Sequence, residues 1–135
     1  EGVNVILDDG NVLNASQFVG PPTPGRVVTI LGDTRICANG ERLAADADVL
    51  VHEATLADEL AHLAHNYYHS TARQAAQLAR RCGVGQLLLT HISSRYPGEK
   101  ALLLEDEARR EHMASKVVHD FDRIAIERKS GITDG

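Results

Sequence analysis

VVTILGDTR (27–35), VLVHEAT (49–55) and LLLTHISSRY (87–96) decide the fold, because each is a short apolar run that stops at polar, chemically capable residues. Continuous rather than alternating hydrophobicity suits strands covered on both faces. The runs end at Gly32-Asp33-Thr34-Arg35, at His52-Glu53-Ala54-Thr55 and at Thr90-His91-Ile92-Ser93-Ser94-Arg95. Between the second and third runs, the spacing predicts helices over about 57–65 and 71–82. Ser70 or Thr71 can cap the latter, Ala72, Ala75, Ala76, Ala79 and Cys82 share one small-residue face, and Gly83 stops it. Downstream, a helix over roughly 101–115, with Leu103, Leu104, Ala108 and Met113 inward, precedes a final strand at Ile124-Ala125-Ile126.

Upstream, Val3, Val5 and Leu7 alternate with other residues, Asp9-Gly10 makes a turn, and Val12-Leu13 resumes an extended run, so 1–18 reads as a hairpin. Residues 19–26 hold three of the four prolines and read as a rigid connector. The whole is an α/β pattern with helices laid on a sheet, and ligands in such layers sit beyond the carboxyl ends of the strands. Asp33, His52, Glu53 and His91 all fall there.

Composition narrows the function. The 135 residues make one domain's worth of core at 43% hydrophobic content, and the formal charge of −5 argues against a free-standing nucleic-acid binder. Three tyrosines, two phenylalanines and no tryptophan give little general support for base stacking. Cys37 and Cys82 stand far apart, which suggests neither a disulfide framework nor a thiolate metal site and fits a reducing, cytoplasmic setting. No stretch approaches a membrane span of about 18 apolar residues, and no signal peptide opens the chain.

Taken singly, each candidate residue has an ordinary reading. Asp33 after Gly32 can bridge divalent cations or cap a turn through Thr34. His91 can ligate zinc through a neutral imidazole or be a hydrogen-bonded structural residue. His69 precedes a helix N-terminus, where Glu53 could hold one ring nitrogen and leave the other to protonate a leaving group; the alternative is a surface histidine in a capping region. Ser93, Ser94 and Arg95 make a group able to hold phosphate oxygens. His62 and His65 are three apart on a helix but read as exposed surface, and His112 and His119 have no supporting company. His52 reads as a structural residue that positions the loop carrying Glu53.

Together, VTILGDTR, LVHEAT, YHSTARQAA and LLTHISSRY resemble, in this order and spacing, the C-terminal half of ribonuclease Z, the tRNA 3′-processing endonuclease branch of the metallo-β-lactamase superfamily. The resemblance spans nearly the whole chain and implies one partial domain, 1–135, forming half of an αββα sandwich. It implies that Asp33 bridges two zinc ions, that His91 ligates the second, that His69 is a general acid partnered by Glu53, and that Arg95 contacts phosphate. The implied substrate is precursor tRNA, cut beyond the discriminator nucleotide. The family's H-x-H-x-D-H motif is absent from this sequence, so the chain alone is expected to be inactive, with an N-terminal half or a second chain completing the site and a homodimer as the expected assembly. The rival readings are another phosphodiesterase of the same fold and a non-catalytic oligomerisation fragment.

Overall fold

A computed structural model describes residues 3–20 and 24–126. Its centre is a four-stranded parallel sheet in the order β3 (Val28–Ile30), β4 (Val49–Glu53), β5 (Gln86–Thr90), β6 (Ser115–Val117). The register pairs Val28 with Val49, Leu50 with Leu87, and Leu89 with Val117. Each new strand is added beside the last through a helical crossover. Crossovers of one hand in sequential order place their helices on the same side of the sheet. Those helices are α1 (Ala38–Ala44), α2 (Ala61–Asn66), α3 (Ala72–Arg81) and α4 (Ala101–Glu111).

The core lies between sheet and helices. Leu50, Leu87, Leu89 and Leu104 are fully buried against Ala72, Ala75, Ala76, Leu78 and Ala79 of α3 and Ala108 of α4. Burying each leucine stabilises by about 1.5–3 kcal/mol. Alanines on α3 bring its backbone close to β4 and β5, which holds the strand ends in place under the site. The helix starts with a capping box: the Thr71 hydroxyl accepts from Gln74 N–H, and Gln74 Oε1 accepts from Thr71 N–H. It stops at Gly83, at φ +63°, with Val84 N–H returning to Ala79 O and Gly83 N–H to Arg80 O.

The opposite face of the sheet is bare at its edge. Thr29 is buried and donates to Leu43 O in α1, so its neighbours Val28 and Ile30 point away from the helices and are 42% and 72% exposed. The hairpin of β1 (Val5–Ile6) and β2 (Val12–Leu13) turns through Asp9 and Gly10 and leaves Val5 and Ile6 exposed as well.

Three sequence expectations need correction. The helix expected over 101–115 ends at Glu111, where His112 turns to an extended conformation, and residues 115–117 become β6. Met113 and Leu103, expected inward, are exposed. Ile124-Ala125-Ile126, expected as the last strand, has no regular structure, because Ser115 and Val117 have already taken the edge beside β5. Helix α1 was not foreseen: Asn39-Gly40 looks like a turn, yet Gly40 is helical and buried where a Cβ would come within 3.3 Å of Leu31 Cδ1. Residues 21–23 of the proline-rich connector lie outside the described residues.

Candidate active site at the strand ends

Four segments converge beyond the carboxyl ends of β3, β4 and β5. Leu31 N–H still bonds to Val51 O, after which Gly32 and Asp33 leave the sheet. Glu53 closes β4, and His91 follows β5 in a left-handed conformation at φ +54°, one that histidine tolerates better than most residues. His69 arrives from the turn between α2 and α3. There His69 N–H bonds to Ala64 O and Tyr68 N–H to His65 O, the paired bonds of a Schellman end.

Glu53 is the hub. Its side chain is only 1% exposed, and each oxygen has two donors. Oε1 accepts from Thr34 N–H at 3.0 Å and His69 Nδ1 at 2.8 Å; Oε2 accepts from Thr55 N–H at 3.1 Å and the Thr55 hydroxyl at 2.6 Å. Burial pushes this carboxyl upward, but the Thr55 hydroxyl, the Ser70 backbone, His69 and the Thr55 backbone outweigh it, holding the group below the ordinary carboxylate value. Glu53 is therefore a charged, fully satisfied acceptor that fixes His69 with Nδ1 donating. That leaves Nε2 of His69, whose side chain is a quarter exposed, free to exchange a proton.

Thr55 extends the arrangement to His91. Its hydroxyl proton goes to Glu53, which can only accept, so toward His91 Nδ1 at 2.8 Å the oxygen must accept. His91 is thereby fixed with Nδ1 donating and Nε2 turned toward Asp33. That Nε2 lies 3.1 Å from Asp33 Oδ2. At this distance the two groups can share a proton as an imidazolium–carboxylate pair or, with a lone pair on Nε2, present two acceptors to a cation. Two ligands on one tetrahedral zinc, each about 2.0–2.1 Å from it, lie about 3.3 Å apart, so the pair fits a divalent ion. The His69 and His91 rings stack at 5.3 Å between centroids and 21° between planes.

Donor atoms of Glu53, His69 and His91 also lie within 4.8 Å of one another. Glu53 spends its lone pairs on four protein donors, so the better pair for an ion is Asp33 with His91, and Glu53 with His69 is the better proton-handling pair.

Asp33, Glu53, His69 and His91 thus meet in one place, Asp33, Glu53 and His91 at the ends of successive strands and His69 from the turn between α2 and α3. The hydroxyl-rich loop is adjacent: Ser93 and Ser94 line a 590 Å³ hollow with His91, His119 and Asp120. Ser93 N–H bonds to Thr55 O, and Arg95 N–H is 3.3 Å from Ser93 Oγ. The exposed Arg95 guanidinium makes no ion pair among the described residues. Tyr96, buried, anchors the loop by accepting from Ala57 N–H at 3.0 Å.

His52 is fully buried, and its Nδ1 donates to Glu53 O at 2.7 Å, with burial pushing its pKa below the ordinary value. His62 and His65 are exposed. Thr55 is the functional residue that sequence reasoning missed. The available signal was its place two residues after Glu53, where a chain leaving the strand can fold its hydroxyl back onto the carboxylate.

Residues 6–92 match the family of the beta-lactamase superfamily domain. Ribonuclease Z of Pediococcus pentosaceus is 55% identical over 126 residues, which is 93% of this chain and 41% of that protein. Ribonuclease Z of Geobacillus kaustophilus is 52% identical over 128 residues, 95% of this chain and 42% of that one. This chain therefore spans about two fifths of the length of the curated relatives it matches. Among solved structures, human tRNase Z, short form, aligns with a TM-score of 0.60 and 31% identity over 87% of this chain and 37% of its own. The metallo-beta-lactamase fold protein YhfI of Bacillus subtilis, at 21% identity and a TM-score of 0.60 over 67% of this chain and 36% of its own, shares the fold. With the sheet, the strand-end cluster and these matches in agreement, the chain belongs to the beta-lactamase superfamily, in which it resembles part of ribonuclease Z.

Proposed function

We propose that this chain supplies part of the active site of an endoribonuclease that removes the 3′ trailer of precursor tRNA. The observation that carries the proposal is the single Thr55 hydroxyl joining two functional pairs, Asp33 with His91 and Glu53 with His69. The names of the relatives, ribonuclease Z and tRNase Z, supply the substrate class. Asp33 Oδ2 and His91 Nε2 would hold metal, with two zinc ions in the complete site, and zinc there would supply Lewis-acid stabilisation of charge building on the phosphodiester.

The chain's own residues do the rest. Glu53 orients His69 through Nδ1, so that Nε2 is the nitrogen that can give a proton to the departing ribose oxygen. Thr55 holds the His91 ring in the tautomer that turns a lone pair toward Asp33. Ser93, Ser94 and Arg95 offer hydroxyl and guanidinium donors to phosphate oxygens. The parallel strands fix Asp33, Glu53 and His91 at or just beyond rigid ends, which lowers the entropy lost when substrate binds.

Asp33 and His91 are two donors where two ions need more, so the chain by itself is inactive in this proposal. The exposed Val28 and Ile30 face supports a covering layer, supplied by the remaining length of a ribonuclease Z or by a second copy in a homodimer. Among the described residues no helix is long and apolar enough to cross a membrane, and the exposed Cys37 and partly buried Cys82 are both free thiols, as a cytoplasmic setting would keep them.

The test joins this chain to the remaining portion of a ribonuclease Z and measures zinc content and cleavage of precursor tRNA beside a small chromogenic phosphodiester. Stoichiometric zinc, lost on Asp33→Ala, with preferential tRNA cleavage is expected. Cleavage of the small ester alone would favour a different phosphodiesterase, and absence of both zinc and cleavage would leave only a structural role.

A further inference from the structure

The tyrosines are few, but their placement is uneven. Tyr67 and Tyr68 sit side by side immediately before His69 and are 70% and 64% exposed. Tyr68 occupies the left-handed position of the Schellman turn that ends α2, at φ +62°. Glycine fits that position without strain, and a tyrosine there costs stability while adding nothing to the turn. Its ring is not idle: the Arg35 guanidinium lies over it, 4.7 Å from the centroid. Arg35 is exposed and makes no ion pair with a carboxylate among the described residues, although the chain carries a net charge of −5.

Arg35 also lines a 400 Å³ hollow together with Ile36, His65, His69 and Gln74. The hollow therefore has the proton-handling histidine on one wall and a guanidinium already stacked on an aromatic ring on another. Gln74 uses its side-chain oxygen for the α3 cap, which leaves its NH₂ group as a donor. A planar, cationic, aromatic-backed surface of this kind favours another flat π system, and Arg35 adds attraction for the phosphates flanking it.

We infer that the Arg35 guanidinium, backed by the Tyr68 ring, forms a stacking seat for one unpaired nucleobase of the substrate, in the hollow next to His69 and hence beside the phosphodiester to be cut. This rests on the ribonuclease reading and deepens it by assigning the neighbouring nucleotide a place. A base paired within a duplex cannot enter, so the seat favours cleavage at a single-stranded junction. The low aromatic content of the chain is no obstacle, since two of its three tyrosines are exposed at this spot.

The test needs neither metal nor cleavage. A short single-stranded oligoribonucleotide carrying one 2-aminopurine is titrated into this chain at low ionic strength, and quenching of the base's fluorescence reports stacking. The same strand with an abasic residue at that position serves as competitor. One base stacked on an aromatic side chain corresponds to roughly a tenfold gain in affinity. Tyr68→Gly should weaken binding about tenfold while raising the melting midpoint by about 4 °C, because the turn loses its strain. Tyr68→Phe should bind within about twofold of the parent chain, and Arg35→Gln should bind more weakly for both strands. An abasic strand that competes as well as the intact one, or unchanged quenching in Tyr68→Gly, would overturn the seat. Cleavage of precursor tRNA without such stacking would refute the seat alone; stacking without cleavage in the completed enzyme would refute the ribonuclease reading alone.

Discussion

Replacing Thr55 with valine keeps the shape of the side chain and deletes one oxygen. In the structure that oxygen donates to Glu53 Oε2 at 2.6 Å and accepts from His91 Nδ1 at 2.8 Å. A hydrogen bond to a buried carboxylate is worth about 1.5–3 kcal/mol, and Glu53 keeps three other donors, at Thr34 N, Thr55 N and His69 Nδ1. The expected loss of stability is therefore about 2 kcal/mol, or roughly 8 °C in melting midpoint for a domain of this size. The effect on metal is larger in kind. Without its acceptor, His91 is no longer fixed with Nε2 toward Asp33, and losing a partner of a ligand typically lowers metal affinity about 10–100-fold. Urea denaturation measures the first effect, and zinc competition against a chromophoric chelator measures the second. Thr55→Ser restores the hydroxyl and should recover most of both. If Thr55→Val binds zinc as tightly as the parent chain, or if ring-nitrogen NMR finds the His91 tautomer unchanged, the relay through Thr55 is wrong.

Tyr96→Phe should cost about 1–2 kcal/mol in urea denaturation, since it strands the Ala57 N–H in a fully buried position. Ala76→Leu, on the face of α3 packed against the core, should cost about 1–3 kcal/mol by overpacking, and a neutral result would mean that the helix has room to move off the sheet. Burial holds the His112 pKa below its ordinary 6.5 against an opposing hydrogen bond to the Gly85 backbone. Its contribution to stability is therefore complete above about pH 6.5 and is lost as pH falls from there to the folded-state value, with a slope of at most about 1.4 kcal/mol per pH unit. His112→Leu should reduce the dependence of the urea midpoint on pH below about 6.5, where the buried His52 also contributes; an unaltered profile would refute the assignment.

The three strands beneath the site were readable because continuous runs such as Val49-Leu50-Val51 and Leu87-Leu88-Leu89 leave few options in an α/β chain. Their ends identified Asp33, Glu53 and His91. Helix α3 was readable from its cap and its alanine face. What escaped was decided by tertiary pairing. Ser115-Lys116-Val117 carries no strand signal of its own, and becomes one only because β5 offers an open edge. Met113, spaced to extend the stripe of α4, drew the expected helix past its real end. Helix α1 hides behind Asn39-Gly40, where glycine serves a close approach to Leu31 instead of a turn. Thr55 was invisible for a different reason: its role depends on where three other side chains lie, and no spacing rule encodes that.

The hydrogen bonds of Glu53 and Thr55 span 19 residues to Thr34, 16 to His69 and 36 to His91. The full set cannot form until the crossovers joining β3 to β4 and β4 to β5 have both closed, and closing such loops early is entropically slow. The cluster is thus a late arrival in folding, assembled only on a sheet already paired across three strands. An ion captured by Asp33 and His91 would bind that finished state and not its precursors, so its binding free energy should appear as slower amide exchange along β3, β4 and β5 together.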